Sequence, residues 1–298
     1  MLGSQILIIA LFALSLDLIL GFAGILSLGH AAFFGVGAYT AGLLAVHGWG
    51  EPVTGLLAGA IMAGLVGFLA SFLVVRGEDL ARLMVTLGIG LLLFEAANRA
   101  ASVTGGVDGL SGVTMWKLFG LFTFDLGGRT AYLYSFGVLL VVFAILRRLS
   151  RSPFGLALRA IRENRHRMPA IGAPVRRHLV SAFTLGAALA GVAGALLAQT
   201  TQFVGLDTLG FQRSADVLIM LVLGGTGRLY GAIIGTVVFM LAQDYLAGLN
   251  PMYWQFWLGL GLVAFVLFAR GGILGALEAL ARRGPRSAKI GVHEGDSA

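Results

Sequence analysis

The sequence predicts an all-α, polytopic transmembrane helical bundle of about eight to ten spans, with glycine-interrupted segments and one cytoplasmic amphipathic helix. Three observations lead to this prediction. Of the 298 residues, 58% are hydrophobic and only 12% are charged, which is more apolar surface than one water-soluble core can bury. The uncharged runs approach the roughly 20 residues that a helix needs to cross about 30 Å of hydrocarbon. The 45 glycines often follow a small-xxx-small spacing, which lets helices pack closely in lipid.

The apolar runs place nine candidate helices along the chain. They cover residues 5–26, 31–47, 53–75, 80–98, 130–149, 178–199, 214–224, 229–247 and 252–270. The first run is uncharged except for Asp17, which lies deep in it, whereas Glu95 lies near the end of its run and can reach water. The run 214–224 is too short to span a membrane alone. Trp49, Trp254 and Trp257 fall where an aromatic belt at the outer interface is expected.

Positive charge orients the bundle. Between Arg147 and Arg177 the chain has nine arginines against one acidic residue, so the positive-inside rule places this loop in the cytoplasm and residues 99–129 outside. The same rule places the C terminus in the cytoplasm. We predict one transmembrane domain over residues 1–275 and a basic, disordered cytoplasmic tail over 276–298. We therefore attribute the net charge of +7 to the orientation of the protein in the membrane and not to nucleic-acid binding.

Two apolar stretches are interrupted by glycine and polar residues. The run GFAGILSLGHAAFFGVGAYTAGLL breaks at Ser27 to His30, and residues 214–235 break at GGTG, residues 224–227. Paired interrupted segments indicate a translocation path, because unwound backbone at membrane depth is tolerated only beside protein or water. The alternative is that both breaks are helix–loop–helix junctions at the cytoplasmic surface. The candidate path residues are Asp17, Gly21, Gly24, Ser27, Gly29, His30, Gly224 and Gly225.

Motifs for chemistry are missing from the sequence. There is no G-x-x-x-x-G-K-[ST] phosphate loop, so the chain cannot bind ATP in that manner, and the energy for transport must come from elsewhere. There are no cysteines, no HExxH motif, and the five histidines lack metal-ligand spacing. Ser111 has no histidine near it in sequence. We therefore predict no catalytic residue, no metal site and no cofactor in this chain, which is not an enzyme.

The arginine-rich loop contains a predicted helix that starts at Ser152 and Pro153, a typical cap followed by proline in the first turn. Its apolar stripe is formed by Phe154, Leu158 and Ile161, and its charged face by Arg159, Arg162 and Arg165. Such a helix suits a groove on another protein. The alternative is a surface helix on anionic membrane lipid.

Four blocks of the sequence resemble the LivM-type permease subunits of branched-chain amino acid ABC importers. They are GFAGILSLGHAAFFGVGAYTAGLL, TGGVDGLSG, RSPFGLALRAIRENRHRMPAIG and VLGGTGRLYGAIIGTVV, in the expected order. The resemblance implies a permease of the bacterial inner membrane for branched-chain or related amino acids. It also implies a second, LivH-type permease, cytosolic ATPase subunits that bind ATP and Mg, and a periplasmic or extracellular solute-binding protein.

The resemblance further implies that the 151–172 loop couples the permease to the ATPase. The candidate coupling residues are Phe154, Leu158, Arg159, Ile161, Arg162, Glu163 and Asn164. The sequence departs from the family pattern after Asn164, where Pro169 is expected to end the helix early. The alternative function is an ion-coupled secondary transporter of a small polar solute, in which Asp17 would carry the proton.

Overall fold

The structure is a computed structural model that describes residues 2–77, 79–116, 129–165 and 167–268, together with residues 272, 273 and 275. Within these residues the chain is helical, and its only strand-like pairing is a single bridge between Leu110 and Val204. The predicted tail 276–298 lies outside the described residues. The predicted all-α class is confirmed.

Helix α1 spans Leu2–Asp17 and continues as a π-helical turn, Leu18–Phe22. The other helices are α2 His30–Val46, α3 Pro52–Val74, α4 Asp79–Arg99, α5 Ala101–Thr104, α6 Arg129–Arg151, α7 Pro153–Glu163, α8 Val175–Thr201, α9 Phe211–Gly224, α10 Leu229–Leu249 and α11 Trp254–Phe268. Six described helices are long and apolar enough to cross a membrane, namely α1 with its π turn, α3, α4, α6, α8 and α10. The protein is a multi-pass membrane protein.

Glycines let α8 pack directly on the backbones of α2 and α3. A Cβ atom at Gly37 would overlap the carbonyl oxygen of Gly191, and one at Gly194 would overlap that of Phe34. A Cβ atom at Gly191 would overlap the side chain of Ala63 in α3. Because attraction between helices in lipid comes largely from close packing, these glycines hold the centre of the bundle together. The predicted packing role of the small-xxx-small pattern is confirmed.

Two segments of the bundle, one that leads into α2 and one that leads into α9, are helical along only part of their length. The first helix ends at Phe22 rather than at residue 26, because Gly24 takes a φ of +68°, and non-helical backbone follows as far as Gly29. Helix α9 has 14 residues, about 21 Å of helix, and is preceded by a non-helical stretch that contains a 3₁₀ turn, Leu206–Leu209. Ile25 and Ser27 are fully buried, so this unwound backbone is enclosed by protein.

The bundle has two different ends. One, here called the arginine-rich end, carries α7, the C termini of α3 and α6, and the loop 225–228. Gly272 lies against Gly225, so the chain returns to this end after α11. At the opposite end the rings of Trp49 and Trp116 lie 6.1 Å apart, and Trp49 is about half exposed, as a residue of an interfacial belt would be.

Candidate functional site

A buried carboxylate just before the first interrupted segment binds the second one. Asp17, the last α-helical residue of α1, is fully buried, and its Oδ1 accepts a hydrogen bond of 2.7 Å from the backbone N–H of Gly227. A side chain at Gly21 would overlap this same Oδ1 atom, so the carboxylate reaches Gly227 only because residue 21 is glycine. Gly227 itself has a φ of +81°, which glycine adopts without strain. This contact ties α1 to the GGTG loop.

Another hydrogen bond joins the two interrupted segments directly. Ser214, in the first turn of α9, accepts a hydrogen bond of 2.8 Å at its Oγ from the backbone N–H of Ala31, in the first turn of α2. The first N–H groups of a helix have no partner inside the helix, so a serine from another helix satisfies one of them here. The N-terminal ends of the two shortened helices therefore face each other.

A polar cluster surrounds the start of α2. His30 Nε2 lies 2.9 Å from Ser15 Oγ, and the imidazole stacks on Phe12 with ring centroids 5.4 Å apart. The non-helical backbone before it is held by α4, because Leu28 N–H donates to Thr86 Oγ1 at 3.2 Å.

Three buried polar atoms at the junction have no hydrogen-bond partner. They are Asp17 Oδ2, Ser27 Oγ and His30 Nδ1. Ser27 lies in the non-helical stretch itself, whereas Asp17 ends α1 and His30 begins α2, so the three atoms flank or lie in the unwound backbone.

Helix α7 starts as predicted and packs against this junction. Ser152 Oγ accepts the N–H of Gly155 at 3.4 Å, and Pro153 occupies the first helical position. We predicted that the apolar stripe enters a groove on another protein. Leu158 and Ile161 are instead buried in the core of this chain. The stripe is already covered by the bundle.

The third member of that stripe, Phe154, is half-buried and stacks on His178 of α8, with ring centroids 5.7 Å apart. The face of α7 that is left for a partner carries Leu156, Arg159 and Glu163, which are exposed. Asn164, the residue that ends the helix, is exposed beside them.

Two arginines of α7 grip the π turn of α1. Arg162 donates a hydrogen bond to the carbonyl oxygen of Gly21, and its aliphatic stem lies so close to Gly24 that a Cβ there would be 3.0 Å from Arg162 Cγ. The guanidinium of Arg159 lies 4.9 Å from the centre of the Phe22 ring, a cation–π contact. These two contacts connect α7 to the turn that follows Asp17.

The end of α7 is fixed as well. The helix ends at Glu163 because Asn164 has extended backbone, with φ −150° and ψ 91°. Pro169, which we expected to end the helix, lies further on in a separate 3₁₀ turn, Met168–Ile171. Asn164 Oδ1 accepts the N–H of Arg167 at 3.1 Å, and Arg165 Nη2 donates to the carbonyl oxygen of Val75 at 3.0 Å. Arg165 thus joins α7 to the end of α3.

Comparison with known families identifies the type of protein that carries this junction. The family model for the permease component of the branched-chain amino acid transport system matches residues 2–268. The chain belongs to this permease family.

Individual relatives agree with this membership. The high-affinity branched-chain amino acid transport system permease protein LivM of Escherichia coli (strain K12) is 32% identical over 90% of this chain and 68% of that protein. The corresponding BraD protein of Pseudomonas aeruginosa is 27% identical over 90% of this chain and 92% of its own length. LivH of Escherichia coli (strain K12) is 24% identical over the same shares. No solved structure matches the chain significantly.

The two breaks of this permease differ in kind. GGTG is a turn between α9 and α10 at the arginine-rich end, as our alternative of a surface junction stated. Ser27, Gly29 and His30 instead lie buried within the bundle, as an interrupted span requires. Gly224 packs on the backbone of Gly231, and Gly225 packs on Gly272. Neither of them contacts Asp17 in this arrangement.

Four residues of the junction were not among the residues predicted from the sequence. They are Ser15, Thr86, Ser214 and Gly227. Gly227 and Ser214 both lie in the second interrupted segment, so that segment pointed to them. Ser15 and Thr86 look like ordinary polar residues of apolar helices, and only their contacts distinguish them.

The role of the Asp17 oxygen can be separated from that of its charge. Asp17→Asn keeps an oxygen that can accept the N–H of Gly227, whereas Asp17→Ala leaves this buried N–H unpaired, at a cost of about 1–3 kcal/mol. We expect the alanine variant of this permease to melt at a clearly lower temperature in detergent and the asparagine variant to stay near wild type in melting temperature and uptake. Equal loss of uptake in the two variants at normal membrane abundance would contradict this structural role.

Proposed function

We propose that the chain is the permease subunit of an ATP-driven importer and forms the translocation path for branched-chain or related amino acids. The observation that carries the proposal is the grip of α7 on the junction, where Arg162 holds Gly21 beside the Asp17–Gly227 hydrogen bond. Relatives named as high-affinity branched-chain amino acid permeases supply the substrate class. Family membership supports this function and not the ion-coupled alternative.

The partners follow from the same proposal. A second, LivH-type permease subunit pairs with this chain in the bacterial inner membrane, in keeping with the similarity to both LivM and LivH of one organism. Cytosolic ATPase subunits bind ATP and Mg, which this chain does not bind, and a periplasmic or extracellular solute-binding protein delivers the amino acid. The arginine-rich end and the C terminus face the cytoplasm, because cytoplasmic loops carry the excess of arginine.

Coupling proceeds through α7. Its exposed residues Arg159, Glu163 and Asn164 contact the ATPase, while Phe154, Leu158 and Ile161 anchor the helix to the permease core. Closure of the ATPase subunits displaces α7, and Arg162 carries this displacement to Gly21. The hydrogen bond between Asp17 and Gly227 then breaks or forms, which makes the junction a two-state element that ATP binding biases.

The path itself runs along the unwound backbone before α2. When the N-terminal ends of α2 and α9 separate, Ser27 Oγ and His30 Nδ1, which have no hydrogen-bond partner in the structure, become available to polar groups of the solute. Gly24 and Gly29 line this stretch without side chains. Asp17 and Gly21 stand at its cytoplasmic end, followed by the loop that starts at Gly224 and Gly225.

The test is uptake of labelled leucine into proteoliposomes that contain the assembled complex with its binding protein. We expect uptake only when ATP is present on the side of the membrane that carries the ATPase subunits. A complex with a hydrolysis-deficient ATPase should show no uptake. A matched preparation of this chain alone, with a pH gradient and no ATPase, should show no uptake. Solute accumulation driven by the pH gradient alone would overturn the proposal in favour of an ion-coupled carrier.

A further inference from the structure

A cavity of about 880 Å³ opens at the arginine-rich end, beside the Asp17–Gly227 junction, and Gly24, Arg162 and Thr226 are among its lining residues. It lies between the π turn of α1, the start of α4 and the end of α7. Arginines from three different segments line it, namely Arg76, Arg82, Arg162 and Arg165. Among the described residues, no carboxylate lines this cavity. Four guanidinium groups on one concave surface favour an anion.

Three of these arginines, Arg76, Arg162 and Arg165, have donors that a ligand can use. Arg162 and Arg165 each donate one hydrogen bond to a backbone carbonyl oxygen, that of Gly21 and that of Val75, which fixes the guanidinium groups and leaves further N–H groups free. Arg76 is exposed and forms no ion pair with a described residue. Planar guanidinium groups with several free donors bind phosphate oxygens in preference to most other groups.

Apolar surface continues from the cavity along α4. Leu80 lines the cavity and is 77% exposed, and Met84, one helical turn further into the membrane span, is 72% exposed. On the other wall Leu20 contributes a second apolar side chain. A ligand that satisfies both the arginines and this strip of α4 has a phosphate at one end and hydrocarbon at the other.

We propose that this cavity holds the headgroup of an anionic phospholipid, whose acyl chains lie along Leu80 and Met84 of α4. The lipid contacts Arg162 and Arg165 together, and so joins α7 to α3 and α4 at the place where α7 is expected to move. Free phosphate would match the arginines but leave the strip of α4 unused. An acidic side chain of a partner subunit would do the same.

Native mass spectrometry of the assembled transporter, titrated with phosphatidylglycerol or with phosphatidylcholine, tests the proposal. We expect preferential binding of phosphatidylglycerol. In the Arg76→Gln, Arg165→Gln variant we expect an affinity about 30-fold lower, since each basic residue near a membrane surface contributes about 1 kcal/mol. The matched control is Arg148→Gln, Arg167→Gln, which removes two exposed arginines outside this cavity and should bind like wild type.

A Met84→Glu variant separates lipid from free phosphate. It places a charge where the acyl chains lie, so phosphatidylglycerol affinity should fall while the arginines remain intact. Three results would each overturn the proposal. They are equal affinity for the two lipids, an equal loss of phosphatidylglycerol affinity in the control variant, and saturable binding of inorganic phosphate that displaces no lipid. Because binding is measured without transport, these results are independent of whether the chain imports amino acids.

Discussion

Replacing Gly194 with alanine is expected to abolish accumulation of folded protein in the membrane. The added methyl group would overlap the carbonyl oxygen of Phe34, an atom of the α2 backbone that cannot turn aside as a side chain could. Relief requires α2 and α8 to separate, which removes the close packing that holds helices together in lipid. Overpacking typically costs about 1–3 kcal/mol, and contact with backbone places this site at or above the upper end of that range.

The matched control for this change is Gly137→Ala in α6. A Cβ atom at Gly137 meets no atom within 4 Å, so the same substitution should leave the amount of folded protein unchanged or slightly higher. The measurement is membrane abundance followed by the melting temperature in detergent. If both variants accumulate and melt like wild type, the close contact between α2 and α8 does not determine stability.

Arg162→Ala should uncouple transport from ATP hydrolysis in the assembled complex. The variant loses the charged hydrogen bond to the carbonyl oxygen of Gly21, an interaction of about 1.5–3 kcal/mol, so we expect uptake to fall roughly 10- to 100-fold. Hydrolysis should continue but no longer respond to solute, because α7 can still bind the ATPase without moving the π turn. The measurements are uptake and solute-stimulated ATP hydrolysis on the same proteoliposomes.

A second arginine of the same loop provides the control. Arg167 is exposed, and its backbone N–H, which Arg167→Ala retains, makes its hydrogen bond to Asn164. This variant should transport and hydrolyse ATP like wild type. Normal uptake and normal stimulation in Arg162→Ala, at normal abundance, would show that the contact with Gly21 does not carry the coupling.

The helices of the bundle were predictable because apolar transfer free energy adds up over contiguous residues. Each of the nine predicted runs coincides with an observed helix, and the largest differences in boundary arise where backbone conformation decides the end. The predicted run 5–26 stops at Phe22, because Gly24 has a positive φ. The start of α7 at Ser152 and Pro153 was also predictable, because capping involves residues that are close together in sequence.

The amphipathic pattern of α7 identified a buried stripe but not the surface that buries it. Leu158 and Ile161 are covered by this chain itself, whereas the pattern alone favoured a groove on another protein. Arg162 likewise belongs to a predicted charged face, yet it binds the carbonyl oxygen of Gly21. Periodicity records which residues share a face, and the identity of the neighbour depends on how distant segments pack.

By itself, the sequence determined that this chain is a polytopic helical membrane protein of the branched-chain amino acid permease type, with one arginine-rich end. Hydropathy, charge bias and family motifs are properties of contiguous residues, so they can be read without coordinates. Only the tertiary structure decided that Asp17 binds Gly227, 210 positions away, and that Arg162 reaches Gly21 across 141 positions. Such contacts depend on the packing of several helices at once, which no local pattern records.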